Sequence, residues 1–192
     1  MSQKTQPLLN LIENFRPDGE QEIVDRELLL KFAHDEINLT RESEAHFTAS
    51  AFVINQTHDK VLAIYHVIYQ SWAWMGGHAD SNADLLQVAE QEAREESGLT
   101  KLKLLKPAPI SIESVAVAPH MRRGKYVPAH AHLNATFLFE ADETDELQHE
   151  LIATDGVRWM PFDELVSEAK LHDPYVVPIY EKIISRIEKE DK

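Results

Sequence analysis

GGHADSNADLLQVAEQEAREESGL, Gly76–Leu99, is the stretch on which the reading of this chain turns. Its second half carries Glu90, Glu92, Glu95 and Glu96 against one basic neighbour, Arg94. The pattern predicts a helix. Asp84 is placed to cap its start, with Gln87 three residues on to complete a capping box. Gly98 stands where a left-handed residue ends a helix. Leu85, Ala89 and Ala93 recur at i, i+4 and i+8 and, with Leu86, form a narrow apolar seam. Glu92, Glu95 and Glu96 stand at i, i+3 and i+4, so they share one face. A solvated helix would interleave Lys or Arg, because like charges at i, i+4 cost roughly 0.2–0.5 kcal/mol each. Acids near a helix C-terminus also oppose the helix dipole. A divalent cation reverses the sign of both effects, and magnesium takes a few hard oxygen ligands together with water and phosphate.

The stretch resembles the Nudix box, the signature of the Nudix hydrolases. That box runs from a glycine through five residues to a glutamate, then seven residues to R-E-U-x-E-E-x-G-U, where U is aliphatic. Gly77 matches the opening glycine. Glu92, Glu95, Glu96, Gly98 and Leu99 match the closing half, with Ala93 a small version of the aliphatic position. Two positions depart: the first glutamate of the box falls on Ala83, and its arginine falls on Gln91. The GGH opening, the acid-rich turn and D-L-L resemble a subgroup with this variant box. The resemblance implies magnesium or manganese held by Glu92, Glu95 and Glu96, which are also the expected catalytic residues. It implies a phosphoric anhydride as substrate.

Composition bounds the alternatives. A chain of 192 residues can bury a substantial core, and 43% hydrophobic with 27% charged residues is ordinary for a soluble globular protein. A formal net charge of −14 argues against a nucleic-acid or anionic-membrane surface. The chain has no cysteine, so disulfides, thiolate metal sites and a cysteine nucleophile are excluded. No leader peptide or long apolar run is visible, and the expectation is a cytoplasmic protein.

Outward from the box, Leu8–Phe15 and Ile23–Asp35 suggest two helices in an N-terminal piece that either pads the core or builds an oligomer contact, such as a homodimer. His46–Asn55 and Val61–Tyr69 read as strands. Trp72 and Trp74 flank Ala73 and share a face at strand spacing. Packing is the more common role of such rings, and stacking on a base or sugar is the functional one. Lys101–Leu105, Ile110–Ala118 and His130–Ala141 suggest further strands. Between the last two, Arg122, Arg123 and Lys125 form the densest basic cluster. It suits either a loop that grips phosphate or a solvated hairpin tip. His130 and His132 point the same way at strand spacing; as a metal pair they lack other clear ligands, so a polar interior or a substrate contact is favoured. Thr154–Leu165 resembles the strand and helix that follow the long hairpin in Nudix domains, and Glu150 and Asp155 are the candidates for the acid that in the family often aids the metal or acts as base there. Val176–Ile187 closes the chain as an amphipathic helix with Ile179, Ile183, Ile184 and Ile187 inward.

These readings converge on an α/β fold, the Nudix α/β/α sandwich around a mixed sheet. An N-terminal helical extension (1–44) precedes the hydrolase domain (45–192). The function expected from the resemblance is metal-dependent hydrolysis of a diphosphate linkage in a small, nucleotide-like phosphorylated substrate. Gly77, Trp72, Arg122, Arg123 and His132 would line the substrate. The alternative, motivated by Ala83 and Gln91, is a ligand-binding or sensor domain on the same fold. No nucleic-acid or membrane partner is expected.

Overall fold

Both faces of the central sheet are buried, and this decides the layering. The computed structural model describes residues 4–66, 70–122, 124–148 and 154–190. In chain order they form α1 (Gln6–Asn14), α2 (Glu20–Phe32), a 3-10 turn at Glu36–Leu39, β1 (Ala45–Ile54), β2 (Lys60–His66), β3 (Ser71–Ala73), β4 (Met75–His78) and α3 (Leu85–Ser97). There follow β5 (Lys103–Leu104), β6 (Ser111–Val117), β7 (His120–Arg122), β8 (Lys125–Val127), β9 (His130–Glu140), β10 (Thr154–Pro161), α4 (Phe162–His172) and α5 (Val177–Glu190). The residues 67–69 of the second expected strand lie outside the described set.

The sheet runs β10-β2-β1-β9-β5, with β3 on β2, β4 on β1 and β6 on β9. β1 and β9 are parallel over ten pairs, from Ala45↔Ala131 to Ile54↔Glu140. The other pairs are antiparallel, so the sheet is mixed. Successive side chains point to opposite faces. Phe47, Ala49, Ala51 and Val53 of β1 meet Leu133, Ala135, Phe137 and Phe139 of β9 in a first core, which the α3 seam of Leu85, Val88, Ala89 and Ala93 covers. Phe52, Ile54, Val61 and Leu138 form a second core under α4 and α5, with Tyr180, Ile183 and Ile187 fully inward. Ile179 and Ile184 are only partly buried there. This is the α/β/α arrangement with a mixed sheet.

The N-terminal helices join the first core through Leu8, Leu9, Ile12, Phe15 and Leu29. The register of α2 differs from its hydrophobic reading. Ile23 is 50% exposed, whereas Glu22 is fully buried. A carboxylate goes inward because Arg186 of α5 meets it with two hydrogen bonds, 2.7 and 2.8 Å. Among the described residues no helix is long and apolar enough to cross a membrane.

Candidate active site at the β4–α3 turn

The ends of α3 are where local chemistry puts them. The Asp84 side chain accepts from the Gln87 backbone N–H at 3.1 Å, and Gly98 closes the helix at φ +73. The reciprocal half of the capping box is replaced. Asn82, not Gln87, accepts from the Asp84 N–H, and the Asn82 amide donates to Gln87 Oε1. Arg94 pairs with Glu90 one turn back and donates to the carbonyl of Thr100, so the basic residue of the helix serves its own C-terminus.

The glycine pair explains how α3 reaches the sheet. A Cβ on Gly77 would lie 2.1 Å from Glu92 Oε1, and one on Gly76 would lie 2.6 Å from the Ala49 carbonyl. Gly77 lets the Glu92 carboxylate press against the strand, and Gly76 lets β4 lie close on β1. The Gly76 N–H donates to Glu96 Oε2 at 3.0 Å, and Glu96 is 8% exposed. Glu92 is half-buried, and Glu95 is exposed, accepting from the Gln91 amide at 2.8 Å. Glu92 and Glu96 thus both lie against β4, while Glu95 stands one side chain out in solvent. The three carboxylates do not draw into a tight cluster; among the described residues the only such cluster consists of histidines. Magnesium needs only one or two protein carboxylates, with water and phosphate completing its shell. This hard-oxygen set, held on a glycine cradle, fits that ion.

Arg41 stands beside the β4–α3 turn, where the pattern around the box did not reveal it. It forks onto Asp80 with bonds of 2.8 and 2.6 Å. Hydrogen bonding from Arg41 holds the Asp80 carboxyl below its usual range, and the charge of Glu92 also acts on Arg41. Asp80 and Ser81 both take positive φ, 44 and 75, and the turn is tied down by Ser81 N–H to Leu39 O at 2.9 Å. Arg41 lies 39 residues before Asp80, in the piece that shares nothing with the box.

The other expected site residues divide. Trp72 packs toward the second core, edge-on to Tyr65, with the Arg158 guanidinium 4.5 Å above its ring. The ring is half-buried, and the Arg158 guanidinium occupies one of its faces. Arg122 is exposed at the end of β7, on the β7–β8 hairpin that turns through Gly124 at φ +76. Its charge lowers the pKa of both His78 and Asp80, which puts this cation within electrostatic reach of the β4 turn. Arg123 and Glu150 lie outside the described residues, as does the side chain of Asp155. His132 joins His46, His78 and His130 in one cluster of rings with centroids about 5 Å apart; His46 stacks on His78 and His130, while His132 meets His78 edge-on. Burial, reinforced by surrounding positive charge, pushes His78 down to about 3 and His132 down to about 2, so both imidazoles are neutral near pH 7.

The fold is similar to that of known proteins. The chain resembles a Nudix-family hydrolase from Clostridium perfringens at 21% identity, covering 72% of this chain and 95% of that one with a TM-score of 0.52. A Nudix hydrolase structure from Listeria monocytogenes is similar at 15% identity, with 76% and 96% covered and a TM-score of 0.54. A C. elegans Ap4A hydrolase is similar at 16% identity, with 74% and 98% covered and a TM-score of 0.52. No curated protein matches. The family model of the NUDIX domain matches residues 44–183, a span that runs from β1 into α5 and holds the whole β4–α3 turn. The chain therefore belongs to the NUDIX family.

Proposed function

We propose that this protein hydrolyses a diphosphate linkage in a small nucleoside-diphosphate-linked substrate, with Glu92, Glu95 and Glu96 holding magnesium or manganese. Membership of the family supports a Nudix-type pyrophosphohydrolase; the residues, the metal and the substrate are the proposal. The observation that carries it is the contact of Glu92 and Glu96 with the side-chain-free strand at Gly77 and Gly76. That contact sets Glu92 and Glu96 against the β4 turn, with the Arg41 charge acting on Glu92 and the Arg122 charge acting on Asp80 of the same turn. An ion held by Glu92, Glu95 and Glu96 would supply charge neutralisation at the phosphates and a lowered pKa for water. A water oxygen forms a new bond to phosphorus as the bridging P–O bond breaks. The departing phosphate keeps the electron pair, and a carboxylate of this site takes the proton of the water. Arg122 offers charge to a phosphate that does not react. The C. elegans neighbour is an Ap4A hydrolase, and the proposal extends nucleotide substrates of that kind to this chain. The division into an extension, 1–44, and a catalytic part, 45–192, belongs to the same reading.

Ala83 and Gln91 favour a second reading, a ligand-binding or sensor domain on this fold. One experiment separates the two: phosphate release with magnesium against nucleoside triphosphates, dinucleoside polyphosphates, nucleotide sugars and nicotinamide dinucleotides, with product identification. Turnover of at least one anhydride, abolished by a chelator, is expected. Binding without turnover across the panel would establish the sensor.

A further inference from the structure

We propose that His46, His130 and His132 form a site for a divalent transition metal of the zinc class, distinct from the carboxylate face of α3. The site goes beyond the hydrolase reading and stands without it.

Register builds the cluster. β1 and β9 are parallel, and His46 is the direct partner of His132. His130 is two residues before His132, so strand alternation puts all three rings on one face. That face is opposite to α3, because the intervening Phe47 and Leu133 belong to the α3 core. The Glu92 carboxylate and the histidines therefore flank the sheet from two sides at the same end. His78, paired with Thr48 on β4, lies on the histidine face and packs its ring on His46 at 5.1 Å and on His132 at 4.9 Å.

The hydrogen bonds prepare the rings as ligands. His46 Nδ1 is 2.8 Å from the Ser43 carbonyl, and His130 Nδ1 is 2.9 Å from the Pro128 carbonyl. A carbonyl only accepts, so each Nδ1 carries the proton and each Nε2 presents a lone pair. A ring N–H donated to a carbonyl is also the usual outer contact of a metal-bound histidine. His46 is 4% exposed, and its Nε2 is buried with no hydrogen-bond partner. A buried lone pair without a donor is costly, and a metal ion satisfies it. Burial also holds the His46 pKa below its usual value, which keeps the ring in the neutral, ligating form.

The spacing suits one ion. His130 Nε2 and His132 Nε2 are 3.2 Å apart. Two nitrogens each about 2.0–2.1 Å from a tetrahedral zinc stand about 3.4 Å from one another. The ligand atoms of all three histidines lie within 4.8 Å of one another, so a small rotation of the third ring completes the set. Without metal, His132 Nε2 can donate to His130 Nε2; with metal, that proton moves off Nε2. A set made only of imidazole nitrogens selects zinc, cobalt, nickel or copper over magnesium. Three protein ligands leave the fourth position of a tetrahedral ion open to water or another oxygen ligand.

The test is zinc binding to the metal-free full chain, read by competition with a chromophoric chelator. The Glu95→Gln/Glu96→Gln protein serves as a second host in which the carboxylate face is weakened. One equivalent of zinc is expected in both hosts. His132→Asn and His46→Asn should each weaken it by about 100-fold or more, with melting curves confirming the fold. Zinc that binds equally well to both histidine variants, or only while Glu95 and Glu96 are intact, overturns the proposal. A second measurement needs no variant: imidazole 15N spectra of the natural chain during zinc addition. Three Nε2 resonances should shift at one equivalent while Nδ1 of His46 and His130 stays protonated. Unshifted resonances would assign the cluster to a polar interior or to contact with a substrate hydroxyl.

Discussion

Two groups of glutamates in this molecule meet different fates. Glu22 of α2 and Glu113 of β6 are 0% and 1% exposed, and α5 supplies cations to both. Arg186 forks onto Glu22, and Lys182 lies 3.0 Å from Glu22 and 3.1 Å from Glu113. Ser111 and Asn134 bond to this group from β6 and β9. Glu92, Glu95 and Glu96 sit on one helix face, where Glu95 takes a neutral amide and Glu96 takes a backbone N–H. The first group binds the N-terminal extension to the sheet and the last helix. Its charge is consumed inside the fold. On α3, the Gln91 amide and the Gly76 N–H, both uncharged donors, orient Glu95 and Glu96, which suits a site for a cation. The same residue type is scaffold in one place and a candidate ligand in the other, and the nature of its donors makes the difference.

The largest effect expected from breaking the comparison is in the scaffold. Glu22→Ala leaves Arg186 and Lys182 beside a buried gap, and removing one partner of a buried ion pair costs about 3–5 kcal/mol. Urea unfolding should show this loss. A change below about 1 kcal/mol would mean that water or Glu113 takes over the cations.

Glu95→Gln and Glu96→Gln should do the reverse, leaving stability nearly unchanged and lowering turnover. About two orders of magnitude, or roughly 2.7 kcal/mol of transition-state stabilisation, is expected from each. Steady-state kinetics with melting curves as control would decide it. Near-normal rates in both variants remove α3 from the chemistry.

A smaller effect concerns acid. Burial alone would raise the Glu22 carboxyl, but hydrogen bonds from Arg186, the Asp18 N–H and Lys182 outweigh it and hold the pKa below the usual 4.5. A depressed carboxylate contributes stability that is complete above its unfolded pKa and is lost as pH falls through its folded pKa. Glu113 is opposite in sign, because burial raises it and it favours the fold in its protonated form. The stability gap between the natural chain and Glu22→Gln should therefore shrink as pH falls below about 4.5. A gap that stays constant from pH 6 to pH 3 would contradict the assignment.

The smallest effect sharpens the other side. Gln91 is exposed and already donates to Glu95, so Gln91→Arg adds charge to an existing contact. It should stabilise the metal-free protein by about 0.3–0.5 kcal/mol. Magnesium should raise the melting temperature of the natural protein, because a cation bound to the folded state relieves the same repulsion. Melting curves with magnesium and with a chelator check both. An arginine variant less stable than its parent would show that the Gln91–Glu95 contact has a geometry worth more than charge.

The features legible in the chain were those whose partners are close in sequence. Asp84 and Gly98 mark the ends of α3, and Leu85, Ala89 and Ala93 mark its buried side, because caps and helical faces are settled within one or two turns. The spacing of Gly77, Glu92, Glu95 and Glu96 carried the family for the same reason. The capping box misled in one detail, since Asn82 competes with Gln87 for the same N–H. What the pattern missed depends on partners brought from far away. Glu22 is inward and Ile23 outward only because Arg186, 164 residues on, meets the carboxylate. Arg41 finds Asp80 only once the Leu39 turn is packed beside β4. His130 and His132 read as a pair without a third ligand until the parallel register of β1 and β9 set His46 beside them. Periodicity encodes which side of its own element a residue takes; which charge or ring waits on that side is decided when elements distant in sequence pack together.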